Sequence, residues 1–405
     1  MESDGESVAG ILDEAAAMAT ELAELRRSIH AEPEIGLDLP RTQRKVLDAL
    51  AGLPLEISTG RELSSVTAVL RGGRPGKTVL LRGDMDALPV TERTGLPYAS
   101  KIDGAMHACG HDLHTAMLAG SARLLSGHQA DLAGNVIFMF QPGEEGPGGA
   151  QIMVSEGVLD AAGERPVAAY ALHVISSLLP IGVLGGRVGP IMAAADALEV
   201  TVHGRGGHGS QPHSAADPIP VTCEIVLALQ TMVTRRFDIF DPVVITVGTL
   251  HAGVADNVIS DEAHFAATVR TFSAPARERV ADEAPRLARE MAAAHGMTAT
   301  AEFVPGYPVT VNDETETAFV QQAIADLLGD GRYITAPNPV TGSEDFSYVL
   351  DEVPGAFVFL GACPPGTDPW TAPFNHSAQA VFDDAVLPDG TALYAELALR
   401  RLAAS

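Results

Sequence analysis

Apolar positions along the chain recur at two spacings, which predict an alternation of helices and strands. Residues 11–30 repeat apolar side chains every three or four positions, as an amphipathic helix does, and 42–51 is predicted to be a second helix. Short runs of branched and apolar residues follow. They are predicted strands at 66–70, 78–81, 135–140 and 168–173, with a helix at 111–125. Strands that alternate with helices in this way indicate an α/β sheet covered by helices on both faces.

The pattern changes near residue 187, where glycine and proline residues cluster. The predicted order becomes strand, helix, strand, strand, helix, strand, at 195–203, 218–234, 243–250, 264–271, 274–295 and 298–303. This is the order of a ferredoxin-like α+β domain. From residue 305 the α/β pattern resumes. We therefore predict a catalytic metal-binding domain from 1–187 and 305–405, with 188–304 as an inserted domain.

Length, charge and cysteine content limit the kinds of protein that this chain can be. A chain of 405 residues exceeds what one core usually supports, so two domains are expected. A net charge of −26 argues against nucleic acid or an anionic membrane as a partner. The three cysteines are widely spaced and imply no disulfide framework. The acidic N-terminus MESDGESVAG lacks the features of a signal peptide, and no apolar run approaches the roughly 20 residues of a membrane span, so we expect a cytoplasmic protein.

Candidate catalytic groups follow the ends of several predicted strands. Asp84 and Asp86 follow TVLLRG, Glu144 and Glu145 follow NVIFMFQ and a Pro-Gly turn, and His173 closes AAYALH. Ligands of α/β sheets bind beyond the carboxyl ends of the strands, so these side chains are expected to converge. Of two adjacent glutamates, one can ligate a metal while the other acts as general base.

The segment ACGHD places a thiol and an imidazole two residues apart. Cys109 and His111 are therefore candidate ligands of a divalent metal, although a free cysteine is commonly just a small buried residue. We expect His107, His114 and Asp112 to lie near the site without ligating the metal. A second segment, GHGSQPH, is equally consistent with a glycine-rich turn and with a functional loop.

Taken in order along the chain, these motifs resemble the M20 metallopeptidase family, in particular its amidohydrolase branch of aminoacylase-like, hippurate and auxin-conjugate hydrolases. The resemblance rests on RRSIHAEPEIG, LLRGDMDALPV, MHACGHDLHTAMLAG, VIFMFQPGEEGPGGA, ALHV, GRGGHGSQPHSAADPI, NVISDEAHFAATVRTF, TGSEDFSYV and FNHSAQAVF. It implies two divalent ions per subunit, with manganese or zinc favoured and cobalt or nickel as alternatives. The implied ligands are Cys109, His111, Glu145, His173 and His376.

The resemblance also implies roles for other residues. Glu144 would be the general base and Asp86 the orienting aspartate. The inserted domain would dimerise and act as a lid, with His208 polarising the scissile carbonyl across the dimer interface. Asn257 and Arg270 would meet the free carboxylate of the substrate.

One position departs from the wider family. Asp84 stands where most M20 peptidases have a histidine ligand, and the amidohydrolase branch supplies Cys109 instead. Asp84 is therefore disfavoured as a direct ligand.

The predicted function is a metal-dependent hydrolysis of N-acyl amino acids by a homodimer, with a small molecule as the only partner. The alternative is an M20 dipeptidase or carboxypeptidase with the same site. A third possibility is a binding or regulatory protein that keeps the metal site without turnover. The presence of Glu144 together with all the implied ligands argues against it.

Overall fold

The computed structural model describes residues 3–404. Its α-helices are α1 Ser3–Ala17, α2 Ala19–His30, α3 Pro40–Ala49, α4 His111–Gly127, α5 Gly149–Ser155, α6 Pro218–Arg236, α7 Ala274–Ala294, α8 Glu314–Leu328, α9 Ser347–Leu350 and α10 Leu387–Ala403. Its strands are β1 Leu55–Thr59, β2 Val66–Arg71, β3 Arg74–Asp84, β4 Ala133–Gln141, β5 Ala168–Ile175, β6 Leu184–Gly186, β7 Gly189–Met192, β8 Ala194–His203, β9 Gly207–His208, β10 Val244–Ala252, β11 Val258–Ile259, β12 Glu262–Thr271, β13 Thr298–Tyr307, β14 Thr310–Asn312, β15 Tyr333–Thr335 and β16 Gly355–Gly361.

The predicted single helix over 11–30 is two helices in the structure. The backbone N–H of Met18 donates to the carbonyl of Ala15, three residues back, so the chain tightens there between α1 and α2. The prediction also missed short strands such as β1 and β15. Runs of three to five residues carry too little periodicity to be recognised from sequence.

The chain divides into two compact units. The first comprises the described residues of 1–191, 311–338 and 348–405, and the second comprises 192–310 and 339–347. The first unit is built on one sheet with the strand order β1-β2-β4-β3-β5-β16-β6-β15. Its four central strands, β4, β3, β5 and β16, are parallel to one another, so their carboxyl ends lie at one edge.

The central strands are buried between layers of helices. All residues of β5 and of β16 are buried, so both faces of the sheet are covered at these strands. Helices α4 and α10 pack against β3, while α8 packs against β16. The predicted α/β fold class is confirmed for this unit.

The second unit has the predicted order β8-α6-β10-β12-α7-β13. Its antiparallel sheet has the order β10-β12-β8-β13. β13, the last of these strands along the chain, lies beside β8, the first, as in ferredoxin-like domains. Buried and more exposed residues alternate along β8 and β12, because one face of the sheet packs on α6 and α7. The predicted α+β insertion is confirmed, and its lid and dimerisation roles stay predictions.

None of the described helices combines the length and the apolar character needed to cross a bilayer.

Candidate metal centre

Three neighbouring parallel strands bring the predicted acidic and histidine residues to one place. β3 ends at Asp84, which lies opposite Gln141 at the end of β4, and β3 is also paired with β5. The loop after β4 carries Glu144 and Glu145, and β5 carries His173 near its end. The strand-end convergence expected from the sequence is therefore present.

A left-handed turn at Gly110 directs the ACGHD segment toward this edge. Gly110 has a φ of +84°, and a Cβ there would come within 2.3 Å of the Val174 side chain, so the position requires glycine. Helix α4 begins at the next residue. Ligand atoms of Cys109, His111 and His173 consequently lie within 4.8 Å of one another.

Backbone carbonyls determine which ring nitrogen of His111 and of His173 carries the proton. Nδ1 of His111 donates to the carbonyl oxygen of Asp86 at 2.9 Å, and Nδ1 of His173 donates to that of Val174 at 2.8 Å. This leaves both Nε2 atoms as the ligand atoms. Nε2 of His173 lies 3.4 Å from the Cys109 Sγ, while Nε2 of His111 is buried and has no hydrogen-bond partner among the described residues. A buried imidazole nitrogen without a hydrogen bond is available to coordinate a divalent cation.

Glu145 and His376 join the same group of candidate ligands. Their Oε1 and Nε2 atoms are 3.0 Å apart, and a second group of mutually close ligand atoms consists of Cys109, Glu145 and His376. His376 has a left-handed backbone with a φ of +72°, and its N–H donates to the carbonyl of Ala108 at 2.8 Å. All five ligands implied by the resemblance thus lie in overlapping clusters.

Asp86 fixes the loop that carries the two glutamates. Its Oδ1 accepts from the backbone N–H of Glu144 and its Oδ2 from that of Glu145, both at 3.0 Å. Carboxylate oxygens of both glutamates lie within 4.8 Å of a ring nitrogen of His111. Glu144 is buried, so its carboxylate is held beside the cluster and away from bulk solvent.

Burial and neighbouring charges shift the acid–base properties of the ligands. Burial raises the pKa of the Cys109 thiol to about 12, and the nearby Glu145 carboxylate acts in the same direction. Burial acts to raise the pKa of Glu145 too, but the hydrogen bond with His376 and the nearby His111 and His376 rings together outweigh burial and lower that pKa. A buried thiol of this kind needs a cation to become a thiolate ligand, so metal binding would release a proton.

Asp84 and His114 are fully engaged with protein groups. Asp84 accepts from Nη1 of Arg82 at 2.7 Å and from Nδ1 of His114. Nε2 of His114 accepts from the backbone N–H of Val174 at 2.7 Å, so this ring has no free ligand atom. His114 thereby ties the end of β3 to β5 beside His173.

Asp112 points away from the ligand cluster, into a buried charge network. It contacts Nε of Arg26 at 2.8 Å and Nδ1 of His30 at 2.7 Å, and within residues 3–404 it belongs to no candidate metal group. His107 lies beside His30, and burial lowers its pKa to about 3. Both residues neighbour the cluster without contributing a ligand atom to it.

The remaining predicted residues belong to the second unit. His208 lies in β9, which pairs with β11 so that it stands opposite Val258, and the N–H of Gly209 donates to the carbonyl of Asn257. The structure thus brings the exposed residues His208 and Asn257 together at a two-stranded sheet formed by β9 and β11. Arg270 lies on β12, where burial lowers its pKa and its Nη1 has no hydrogen-bond partner among the described residues.

Several residues around the cluster were not predicted from the sequence. Asn375 binds backbone groups near three ligands, and Arg26 and His30 form the ion network under α4. Arg26 and His30 sit in a helix that the sequence predicts to be amphipathic. A charged residue on such a helix gives no sign of being buried.

Comparisons with known proteins agree with this geometry. The model of peptidase family M20/M25/M40 matches residues 80–400. Thermostable carboxypeptidase 1 of Saccharolobus solfataricus is 38% identical over 383 residues, which cover 94% of this chain and 95% of that protein. N-acetylcysteine deacetylase of Bacillus subtilis is 36% identical over 384 residues, covering 95% and 97%.

A solved structure extends the similarity to three dimensions. A Bacillus subtilis protein, described as a dinuclear metal binding peptidase from the M20 family, superimposes with a TM-score of 0.82 at 34% identity, covering 96% of this chain and 99% of that one. The family match spans well over half of the chain, and the similarity to these proteins spans nearly all of it. This chain belongs to peptidase family M20/M25/M40.

Proposed function

We propose that this protein is a metal-dependent amidohydrolase that cleaves the amide bond of N-acyl amino acids, releasing a carboxylic acid and a free amino acid. The observation that carries the proposal is the convergence of a thiol, three imidazoles and a carboxylate beside the buried Glu144. The similarity to an N-acetylcysteine deacetylase over nearly the whole chain supports this substrate class.

The residues present fit divalent metal ions. Thiolate and imidazole donors suit zinc and related transition ions, and the carboxylate also suits manganese. The proposed ligands are Cys109, His111, Glu145, His173 and His376. The dinuclear relative supports two ions. The donor set leads us to favour Mn²⁺ or Zn²⁺, with Co²⁺ or Ni²⁺ as alternatives. When bound, such ions supply Lewis acidity, which polarises a carbonyl group and makes water more acidic.

Glu144 is the proposed general base. Its carboxylate takes a proton from the attacking water and later delivers it to the nitrogen of the leaving amine, so that both products leave with their protons balanced. Asp86 positions it by holding the N–H groups of Glu144 and Glu145. Because Glu144 is buried, the proton passes between it and the substrate and is not lost to bulk water.

The second unit supplies the proposed substrate contacts. His208 would donate a hydrogen bond to the scissile carbonyl, from a second copy of the chain, and stabilise the developing oxyanion. Asn257 and Arg270 would bind the free carboxylate of the amino-acid part. The unpartnered Nη1 of Arg270 supports this, because a guanidinium fork matches a planar carboxylate.

A homodimer through the second unit is part of the proposal. β10 is an edge strand of its sheet, and its Val244 and Leu250 are exposed. Leu227 of α6 is exposed as well. Edge strands with exposed apolar side chains are usually covered by another chain. The cytoplasmic location stays a prediction from the sequence.

A peptidase acting on dipeptides or on C-terminal residues is the second candidate, and the thermostable carboxypeptidase relative favours it. The two are separated by a hydrolysis screen of N-acetyl amino acids, hippurate and dipeptides, with Mn²⁺, Zn²⁺, Co²⁺ or Ni²⁺ and with elemental analysis of the purified protein. We expect kcat/KM to be higher for the acyl amino acids. The opposite ranking would establish a peptidase, and metal-replete protein that is inactive on the whole panel would indicate a binding protein.

A further inference from the structure

The side chain of Asn375 lies buried among the segments that carry the proposed ligands. Its Nδ2 donates to the carbonyl oxygen of Cys109 at 3.3 Å and to that of Val174 at 3.0 Å. Its Oδ1 accepts from the backbone N–H of Ser176 at 2.9 Å and from the Ser176 hydroxyl at 3.0 Å. The amide therefore joins the ACGHD turn to the end of β5.

The partners of Asn375 determine which way its amide faces. A backbone N–H can only donate and a carbonyl oxygen can only accept. The Ser176 N–H must therefore meet Oδ1, while the carbonyls of Cys109 and Val174 must meet Nδ2. A rotated amide would place donor against donor and acceptor against acceptor.

The same amide group also reaches a ligand atom. Nδ2 of Asn375 lies 3.7 Å from the Cys109 Sγ, within the range of an N–H···S hydrogen bond. A donor at this position stabilises negative charge on sulfur and reduces the electron density that sulfur donates to a metal.

Three proposed ligands thus depend on Asn375. Cys109 is held directly, His173 directly precedes the Val174 that Asn375 holds, and His376 follows Asn375 in the chain. His376 keeps a left-handed backbone, so its ring position depends on how the neighbouring residues are anchored.

We propose that Asn375 is a positioning residue of the metal centre, which sets the relative placement of Cys109, His173 and His376 and tunes the sulfur of Cys109 as a ligand. The inference rests on the proposed metal-dependent function. Removing a group of this kind typically weakens metal binding about 10- to 100-fold.

The test is a Co²⁺ titration of the whole protein, with the affinity measured against a competing chelator and the sulfur-to-cobalt charge-transfer band recorded. Asn375→Ala should bind Co²⁺ about 10- to 100-fold more weakly. Its band should move to lower energy, because the sulfur loses an N–H donor. Asn375→Asp keeps the size and the acceptor for Ser176 but loses the donors, so its band should also move to lower energy; its added negative charge attracts the cation, so affinity is compared for Asn375→Ala only.

Asn312→Ala is the matched control. Asn312 is also buried and bridges backbone groups of Arg187 and Phe357, neither of which is a proposed ligand. It should leave Co²⁺ affinity and the band unchanged. Wild-type affinity and an unshifted band in folded Asn375→Ala, or an unshifted band in folded Asn375→Asp, would overturn this inference without affecting the proposed function. A wild-type protein that binds no Co²⁺ would overturn the metal centre and this inference with it.

Discussion

The carboxylate of Asp86 holds the backbone of Glu144 and Glu145 with one oxygen each, at 3.0 Å in both cases. The carbonyl oxygen of Asp86 accepts from Nδ1 of His111. Asp86, in the loop after β3, therefore orients both a proposed ligand and the proposed base. The sequence predicted that Asp86 orients a ligating histidine; in the structure its backbone carbonyl contacts His111, while its carboxylate holds the glutamate loop.

Asp86→Asn tests this arrangement. An asparagine keeps one acceptor oxygen but turns an NH₂ group toward the N–H of Glu144 or Glu145, so one hydrogen bond is replaced by a repulsive contact. We expect kcat to fall about 10- to 100-fold. Steady-state kinetics on an N-acyl amino acid give the value, with the exposed Asp103→Asn as the control. Wild-type kcat in Asp86→Asn would show that the loop keeps its place without this carboxylate.

Glu144→Gln separates binding from chemistry. Glutamine has nearly the same shape but cannot accept the proton of water, so turnover should fall about 10²- to 10⁴-fold while the metal content stays at the wild-type level. Steady-state kinetics give the turnover, and elemental analysis of the same preparation gives the metal content. Glu62→Gln, at an exposed position, should behave as wild type. Substantial residual activity would remove Glu144 as the general base.

Cys109→Ser tests the thiolate ligand. A serine hydroxyl is a harder and less acidic donor than a thiol, so metal content should fall, and more so for Zn²⁺ than for Mn²⁺. Elemental analysis after dialysis measures this. Cys363→Ser is the control, because Cys363 is also a buried free cysteine but belongs to no candidate metal group among the described residues. Unchanged occupancy in Cys109→Ser would exclude Cys109 from the ligand set.

The ion network beneath α4 predicts a pH-dependent contribution to stability. Burial acts to lower the pKa of His30, but the carboxylates of Asp112 and Glu92 together outweigh it and raise that pKa above its usual value. A raised pKa in the folded state means that the protonated ring stabilises the fold. This stabilisation is fully present below about pH 6.5, the unfolded value, and is lost as the pH rises through the folded pKa.

His30→Gln should therefore lower Tm more at pH 6 than at pH 9, as measured by thermal unfolding across that range. His128→Gln is the control, since His128 contacts Glu14 at the surface and exposed pairs contribute little. A Tm difference that grows with pH would show that His30 is neutral in the folded protein.

The parts of the site that were predictable from sequence lie at the ends of regular strands. Asp86, Glu145 and His173 follow or close strands whose parallel arrangement is itself predictable from the β-α alternation, so their convergence needs no further information. The α/β fold class and the ferredoxin-like order of the inserted unit follow from the same periodicity.

The positions of other residues at or near the site could not be predicted from the sequence pattern. His376 reaches the cluster from a loop after β16, through a backbone conformation that sequence periodicity does not report. Asn375 acts through carbonyl groups of Cys109 and Val174, which every residue type possesses. Arg26 is a buried cation on a helix whose other polar residues, except His30, are exposed, so its pairing with Asp112 is not evident from the sequence.

The left-handed backbone of His376 also has a consequence for the stability of this loop. A residue with a side chain costs about 1–2 kcal/mol in that conformation, whereas glycine adopts it freely. Glycine at position 376 would therefore relieve the backbone while removing the imidazole, so the fold and the proposed metal centre make opposite demands on this residue.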